Sequence, residues 1–167
     1  GYAADQGRTL GTASFAMNML DEGTKSRDAT AIAMRSEELG AQIGVYNSLD
    51  VSGATLSALK SELRGSLELF ADLVRHPEFD AAEMDRVKGQ WLAQIAQEKT
   101  SPNALGMRVL PPLLYGEGHA YAIPLTGSGT EASIQSLTPQ DLAAFHADFM
   151  RANNARIIVV GDTTLAE

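Results

Sequence analysis

Gly11-Thr12-Ala13-Ser14-Phe15-Ala16-Met17-Asn18-Met19-Leu20-Asp21-Glu22-Gly23-Thr24 is the stretch on which the reading of this 167-residue chain turns. Leu10, Ala13, Met17 and Leu20 recur at helical spacing, and Phe15, Ala16 and Met19 add a second apolar face. A helix that is apolar on most of its sides belongs in the interior. The segment is therefore expected at the centre of the fold, with Gly23 as its stop.

Outward from it the pattern alternates between helix signals and one strand pair. Asp28 is placed to cap a second helix running through Ile32 and Met34 to Leu39, with Gly40 ending it. Ile43, Val45, Val51, Thr55 and Leu56 alternate loosely among Ser, Gly and Asn, which predicts two strands joined near Asp50. Leu63, Leu67, Phe70 and Val74 restore the helical period as far as His76-Pro77. Asp80-Ala81-Ala82-Glu83 reads as a capping box ahead of a stripe of Met84, Val87, Trp91 and Ile95. Pro102 opens a further helix ending at Pro111-Pro112 or shortly beyond. Residues 115–129, with four glycines and a proline, read as an irregular loop. Thr138-Pro139 opens the last helix, whose buried face is Leu142, Phe145 and Phe149, and Ile157 to Val160 reads as a central strand. The fold class that follows is α+β, with helices packed on one face of a small, mostly antiparallel sheet.

Composition narrows the function classes. Hydrophobic residues make up 44% of the chain, enough for a packed core. The formal net charge of −8 argues against nucleic acid as a partner, because a basic stripe is the footprint of that binding. It also disfavours an anionic membrane surface and suits basic peptides. No run approaches the roughly 18 apolar residues of a membrane span. The absence of cysteine rules out disulfides and thiolate metal sites. It suits the bacterial periplasm, where stray thiols are oxidised, and fits the cytosol as well.

The opening helix resembles the metal-binding helix of the pitrilysin and mitochondrial-processing-peptidase family of zinc peptidases. That helix carries His-x-x-Glu-His, which sets three ligating or catalytic side chains at i, i+3 and i+4 on one face. In the matching frame of glycine, Phe, Met-Leu and Gly-Thr, those positions fall on Ser14, Met17 and Asn18. None offers the imidazole, thiolate or carboxylate that zinc prefers. The family's third ligand, a Glu, lies on the helix after a Pro-x-Phe turn. The turn is matched by Leu73 to Phe79, and the helix reads Trp91-Leu92-Ala93-Gln94-Ile95 without a carboxylate. The resemblance continues through Leu39-Gly40-Ala41, through Leu114-Tyr115-Gly116, His119, Tyr121, Pro124-Leu125 and Gly129-Thr130-Glu131, and through Leu137-Thr138, Phe145-His146 and Val159-Val160-Gly161-Asp162.

It is the metal-free halves of those enzymes that this pattern resembles. The implied fold is a processing-peptidase-like subdomain spanning residues 1–167, truncated at its N-terminus and part of a longer chain. The implied function is to shape a peptide chamber and pair with an active half, fused or separate, that holds the zinc; this chain holds no cofactor of its own. On that reading the chain alone is no enzyme, and the parent assembly is a zinc metalloendopeptidase. The alternative is a pseudo-peptidase that serves as a structural or assembly subunit without proteolysis.

Other motifs are weaker. Gly127-Ser128-Gly129-Thr130-Glu131-Ala132 matches the dinucleotide pattern G-x-G-x-x-A, but that pattern needs a strand leading directly into it. His76, His119 and His146 have no ligand spacing on one element, which assigns them solvated or capping roles. The strand pair is where an extended peptide substrate can add by backbone pairing, and Tyr46, Asn47 and Ser48 are the candidates for touching it. Taken singly, each reads more readily as a solvent-facing strand residue.

Overall fold

A computed structural model describes residues 1–164; residues 165–167, the end of the expected 1–167 subdomain, lie outside the described residues. A 3-10 turn at Tyr2–Asp5 leads into helix α1 (Thr12–Asn18), continued by a 3-10 turn at Met19–Asp21. Then come β1 (Gly23–Thr24), β2 (Arg27–Asp28), α2 (Ala29–Leu39), β3 (Gln42–Asn47) and β4 (Ser52–Ser57). Five helices follow: α3 (Leu63–Arg75), α4 (Ala81–Thr100), α5 (Pro102–Tyr115), α6 (Glu131–Ser136) and α7 (Pro139–Phe149). Both sheets are antiparallel hairpins, β1 with β2 and β3 with β4. The expected class holds: α+β, with helices on one face of a small antiparallel sheet.

Two apolar clusters organise it. Ala13, Phe15, Ala16 and Met19 pack with Met84, Val87 and Ile95 of α4, Ile134 of α6, and Leu142 and Phe145 of α7. The opening helix is as buried as its double apolar face requires. Its N-terminus is held by Asp5, whose carboxylate accepts from the Gly11 N–H at 2.8 Å and the Ala13 N–H at 3.0 Å. Gly11 has φ of 91°, and a Cβ there would lie 2.7 Å from Ile134 Cδ1, so both its conformation and its closeness to α6 demand glycine. The second cluster joins Ile32 and Leu39 of α2 to Leu69 and Leu73 of α3, with Ile43 and Leu56 of the hairpin closing it.

The hairpin register pairs Ile43 with Leu56, Val45 with Ala54 and Asn47 with Ser52. Side chains alternate across a strand, so these pairs face the helices, whereas Gln42, Gly44 and Tyr46 face outward. Asp28 caps α2 by accepting from the Ala31 N–H at 2.8 Å, and Gly40 ends it in the left-handed region. Asp28→Ala is expected to cost about 1 kcal/mol. That lowers the midpoint of a calorimetric melt by roughly 2–4 °C for a chain of this size. An unchanged midpoint would show that α2 stands without its cap.

Several elements differ from the sequence expectation. The buried face of α3 is Ser66, Leu69 and Leu73, one step around from the stripe of Leu63, Leu67, Phe70 and Val74. Leu63 and Leu67 are exposed because α2 and the hairpin approach α3 from the neighbouring side. Asp80 does cap α4, accepting from the Ala82 and Glu83 N–H groups. The Glu83 carboxylate, however, turns to Arg86 Nε at 2.7 Å and does not complete a box. Helix α5 runs through both internal prolines to Tyr115. Directly after the expected loop lies α6, a helix the sequence reading did not assign, six residues with a reciprocal cap between Thr130 and Ser133.

The largest correction concerns Ile157–Val160. This run is not a strand, and its four side chains are 71–92% exposed. Apolar composition alone does not make a strand. Pairing needs a neighbouring edge, and no strand lies beside this segment among the described residues.

Candidate functional site

The three positions matched to the zinc motif sit on α1, but in different surroundings. Ser14 is half-buried, and its Oγ accepts from Asn47 Nδ2 at 2.9 Å. Met17 is buried and Asn18 is exposed. A hydroxyl, a thioether and an amide make a poor set for zinc, and the first of them is already committed to a strand residue. The donor set does not fit the metal.

The stretch 91–95 does lie against α1. The Trp91 ring meets Phe15 edge-on, with centroids 5.4 Å apart and planes at 64°. Its indole N–H donates to the Ser128 carbonyl at 2.9 Å. The space between α1 and α4 is therefore filled by an aromatic pair. Among the described residues, no three His, Asp or Glu side chains stand close enough to share a metal ion.

The histidines are dispersed. His76 Nδ1 lies 3.3 Å from Asp72 Oδ1, His119 stacks on Tyr115 at 5.1 Å, and His146 Nε2 bonds the Val74 carbonyl at 2.8 Å. His146 thus ties α7 to α3, a role beyond the solvated or capping one expected. Ser26, Asp72 and His76 contain the residue types of a nucleophilic triad but not its order. Ser26 Oγ donates to Asp72 Oδ2 at 2.7 Å, so serine and imidazole both bond the aspartate and no base faces the hydroxyl. Burial pushes the Asp72 carboxyl up, but hydrogen bonds from Ser26, Thr24, His76 and Arg27 outweigh it and hold the group below the usual carboxylate range. The cluster fastens the end of α3 to the β1–β2 ribbon.

The residues proposed to touch substrate are neighbours in sequence that the fold separates. Tyr46 is 51% exposed and lies across Gly53 on the outer face. Asn47 points inward, donating to Ser14 and accepting from Ser52 Oγ at 2.6 Å. Ser48 is exposed in the turn, and its carbonyl accepts from the Tyr2 N–H at 3.0 Å. Between Gln42 and Asn47, β3 pairs with β4 alone among the described residues, which leaves its other edge open to an extended chain.

Sequence reading missed a buried ion pair behind this region. Arg108 of α5 and Glu98 of α4 meet at 2.7 Å, with side chains 9% and 11% exposed. Arg108 also donates to Ser128 Oγ at 2.8 Å and to the Gly129 carbonyl at 2.6 Å. Ser128 donates to Glu98 at 2.7 Å. The glycine-rich stretch is thereby clamped onto α4 and α5. No strand leads into Gly127, so the structural context for a dinucleotide site is missing. The one signal available in sequence was a charged residue on an otherwise apolar face of α5.

Comparison with known proteins fits this picture. The sequence profile of the insulinase family (peptidase family M16) matches residues 1–120. A non-peptidase homolog from Helicobacter pylori is 27% identical over 155 residues, 92% of this chain and 35% of that protein. The human mitochondrial-processing peptidase subunit beta is 25% identical over 135 residues, 81% of this chain and 27% of that protein. A peptidase M16 inactive domain from Pseudomonas fluorescens superposes with a TM-score of 0.82 at 36% identity, over 88% of this chain and 35% of that one. The chain spans little more than a third of the length of these relatives at most, and about a quarter of the human subunit. With the profile covering most of its residues and the fold shared, the chain belongs to the insulinase family, peptidase family M16, and resembles the family's noncatalytic, metal-free halves.

Proposed function

We propose that the chain is the first subdomain of the zinc-free half of a two-half peptidase. It closes against a zinc-bearing half, fused or separate, and forms part of the wall of the peptide chamber. The chemistry belongs to the partner half; this half confines and orients the substrate, with the open edge of β3 as its contact. The observation that carries the reading is the state of α1. The helix occupies the centre of the fold, yet it offers a hydroxyl, a thioether and an amide at the motif positions, with Ser14 engaged by Asn47.

The purified chain is expected to hold far less than stoichiometric zinc by metal analysis and to cleave no peptide. Cleavage is expected on co-expression with a zinc-bearing relative encoded nearby. Stoichiometric zinc in the folded chain, or peptide cleavage by it alone, overturns the proposal. A second reading is favoured by the likeness to a non-peptidase homolog: a structural subunit that assembles without proteolysis. A stable but inert assembly in the same experiment would establish it.

A further inference from the structure

A cleft of about 310 Å³ opens between α2, the beginning of β3 and α3. Its lining mixes apolar side chains, among them Ile32 and Ala33 of α2, Ile43 of β3 and Leu73 of α3, with the polar Ser36 and Gln42. Asp21 stands at the rim. The volume is at the lower end of the range for small-ligand pockets, about 300 Å³ upward, and admits one long side chain.

The rim carboxylate is placed for a cation. Among the described residues Asp21 has no ion-pair partner, in contrast with the adjacent Glu22, which is engaged by Arg86. Asp21 also closes the 3-10 turn Met19–Asp21, where backbone carbonyls add negative potential. Burial and the neighbouring Glu22 raise its pKa against a bond from its own backbone N–H, and the residue is exposed, so a cation can reach it from solvent. Apolar walls beside an exposed carboxylate match a side chain built of methylenes and tipped by a positive charge.

The strand register brings such a side chain there. Ile43 and Asn47 lie on the same, inward face of β3. A peptide paired along the free edge puts its side chains on that face beside them, because neighbours across strands share a face. Ile43 itself lines the cleft, so on this register the side chain beside it is the one carried toward that opening. The side chain beside Asn47 lies over Ser14, four residues and about 13 Å further along.

We propose that this cleft receives one lysine or arginine side chain of a peptide extended along β3, with Asp21 as its counter-charge. The inference rests on the peptide-contact reading of the β3 edge and adds to it a charge preference at a fixed register.

The test is fluorescence anisotropy of the full chain with a labelled peptide of alternating valine and threonine carrying a single lysine, against the same peptide with norleucine in its place. The lysine peptide is expected to bind about fivefold more tightly, the size of one partly exposed charge pair. Asp21→Asn is expected to abolish that preference while retaining the binding of the norleucine peptide. Ala33→Phe, which fills the cleft, is expected to weaken the lysine peptide with the melting temperature unchanged. Equal binding of the two peptides by the unaltered chain, or a lysine preference that survives Asp21→Asn, overturns the cleft proposal and leaves the edge reading standing. Binding of neither peptide overturns both.

Discussion

Exchange of Arg108 for methionine is expected to destabilise the protein by about 3–5 kcal/mol, the cost of stranding one member of a buried ion pair. Glu98 would keep its burial and its bond from Ser128, but lose the cation at 2.7 Å. The Gly129 carbonyl would lose its donor as well. Two helices and the glycine-rich stretch meet at this point, so loosening is expected to spread to Trp91, whose indole donates to the Ser128 carbonyl. Urea denaturation followed by tryptophan fluorescence reads both effects, as the chain has a single tryptophan. Combining Arg108→Met with Glu98→Leu removes the stranded charge, and the double variant is expected to recover most of the loss. A double variant no more stable than the single would mean that the two charges do not depend on each other.

The second large effect is a pH dependence centred on Asp5. The carboxyl is 1% exposed, and burial pushes its pKa up to about 6, against two backbone N–H groups that favour the charged form. In the unfolded chain it titrates near its ordinary value of about 4. Between these two values the folded protein binds more proton than the unfolded one. The group's contribution to stability is therefore fully present below about pH 4 and is lost as pH rises through about 6. A separation of roughly two units corresponds to about 3 kcal/mol. Asp72, held below its ordinary value, acts in the opposite direction at lower pH, so the measurement is a difference. The stability of the unaltered chain minus that of Asp5→Asn, followed from pH 4 to 7 by denaturant titration, is expected to fall by about that amount. A flat difference would show that the carboxyl titrates alike in both states.

How much of this was legible beforehand depended on range. Asp28, Asp80 and Thr138 were readable as caps because the bonds they accept reach no further than three residues. The burial of α1 was readable because its apolar residues cover most of its sides, leaving only the strip of Ser14 and Asn18 to turn outward. Ile157–Val160 misled because a strand is a property of a pair, and the partner is not encoded in the run itself. Helix α6 was hidden by its length and by a Thr-x-x-Ser cap that lacks the usual Glu or Gln. The face of α3 was missed by one step because α2 and the hairpin decide which of two adjacent stripes they cover. At the site, the vacant ligand positions were visible as letters. The bond between Ser14 and Asn47 spans thirty-three residues, and that between Arg108 and Ser128 spans twenty, so no local pattern announced either one.

Ser14 is a tie between helix and hairpin as much as a motif position. Ser14 Oγ is 3.0 Å from the place a Cβ on Gly127 would take, and the Tyr2 ring is 2.7 Å from that same place. An imidazole at position 14 would lack the hydroxyl through which Asn47 now joins β3 to α1.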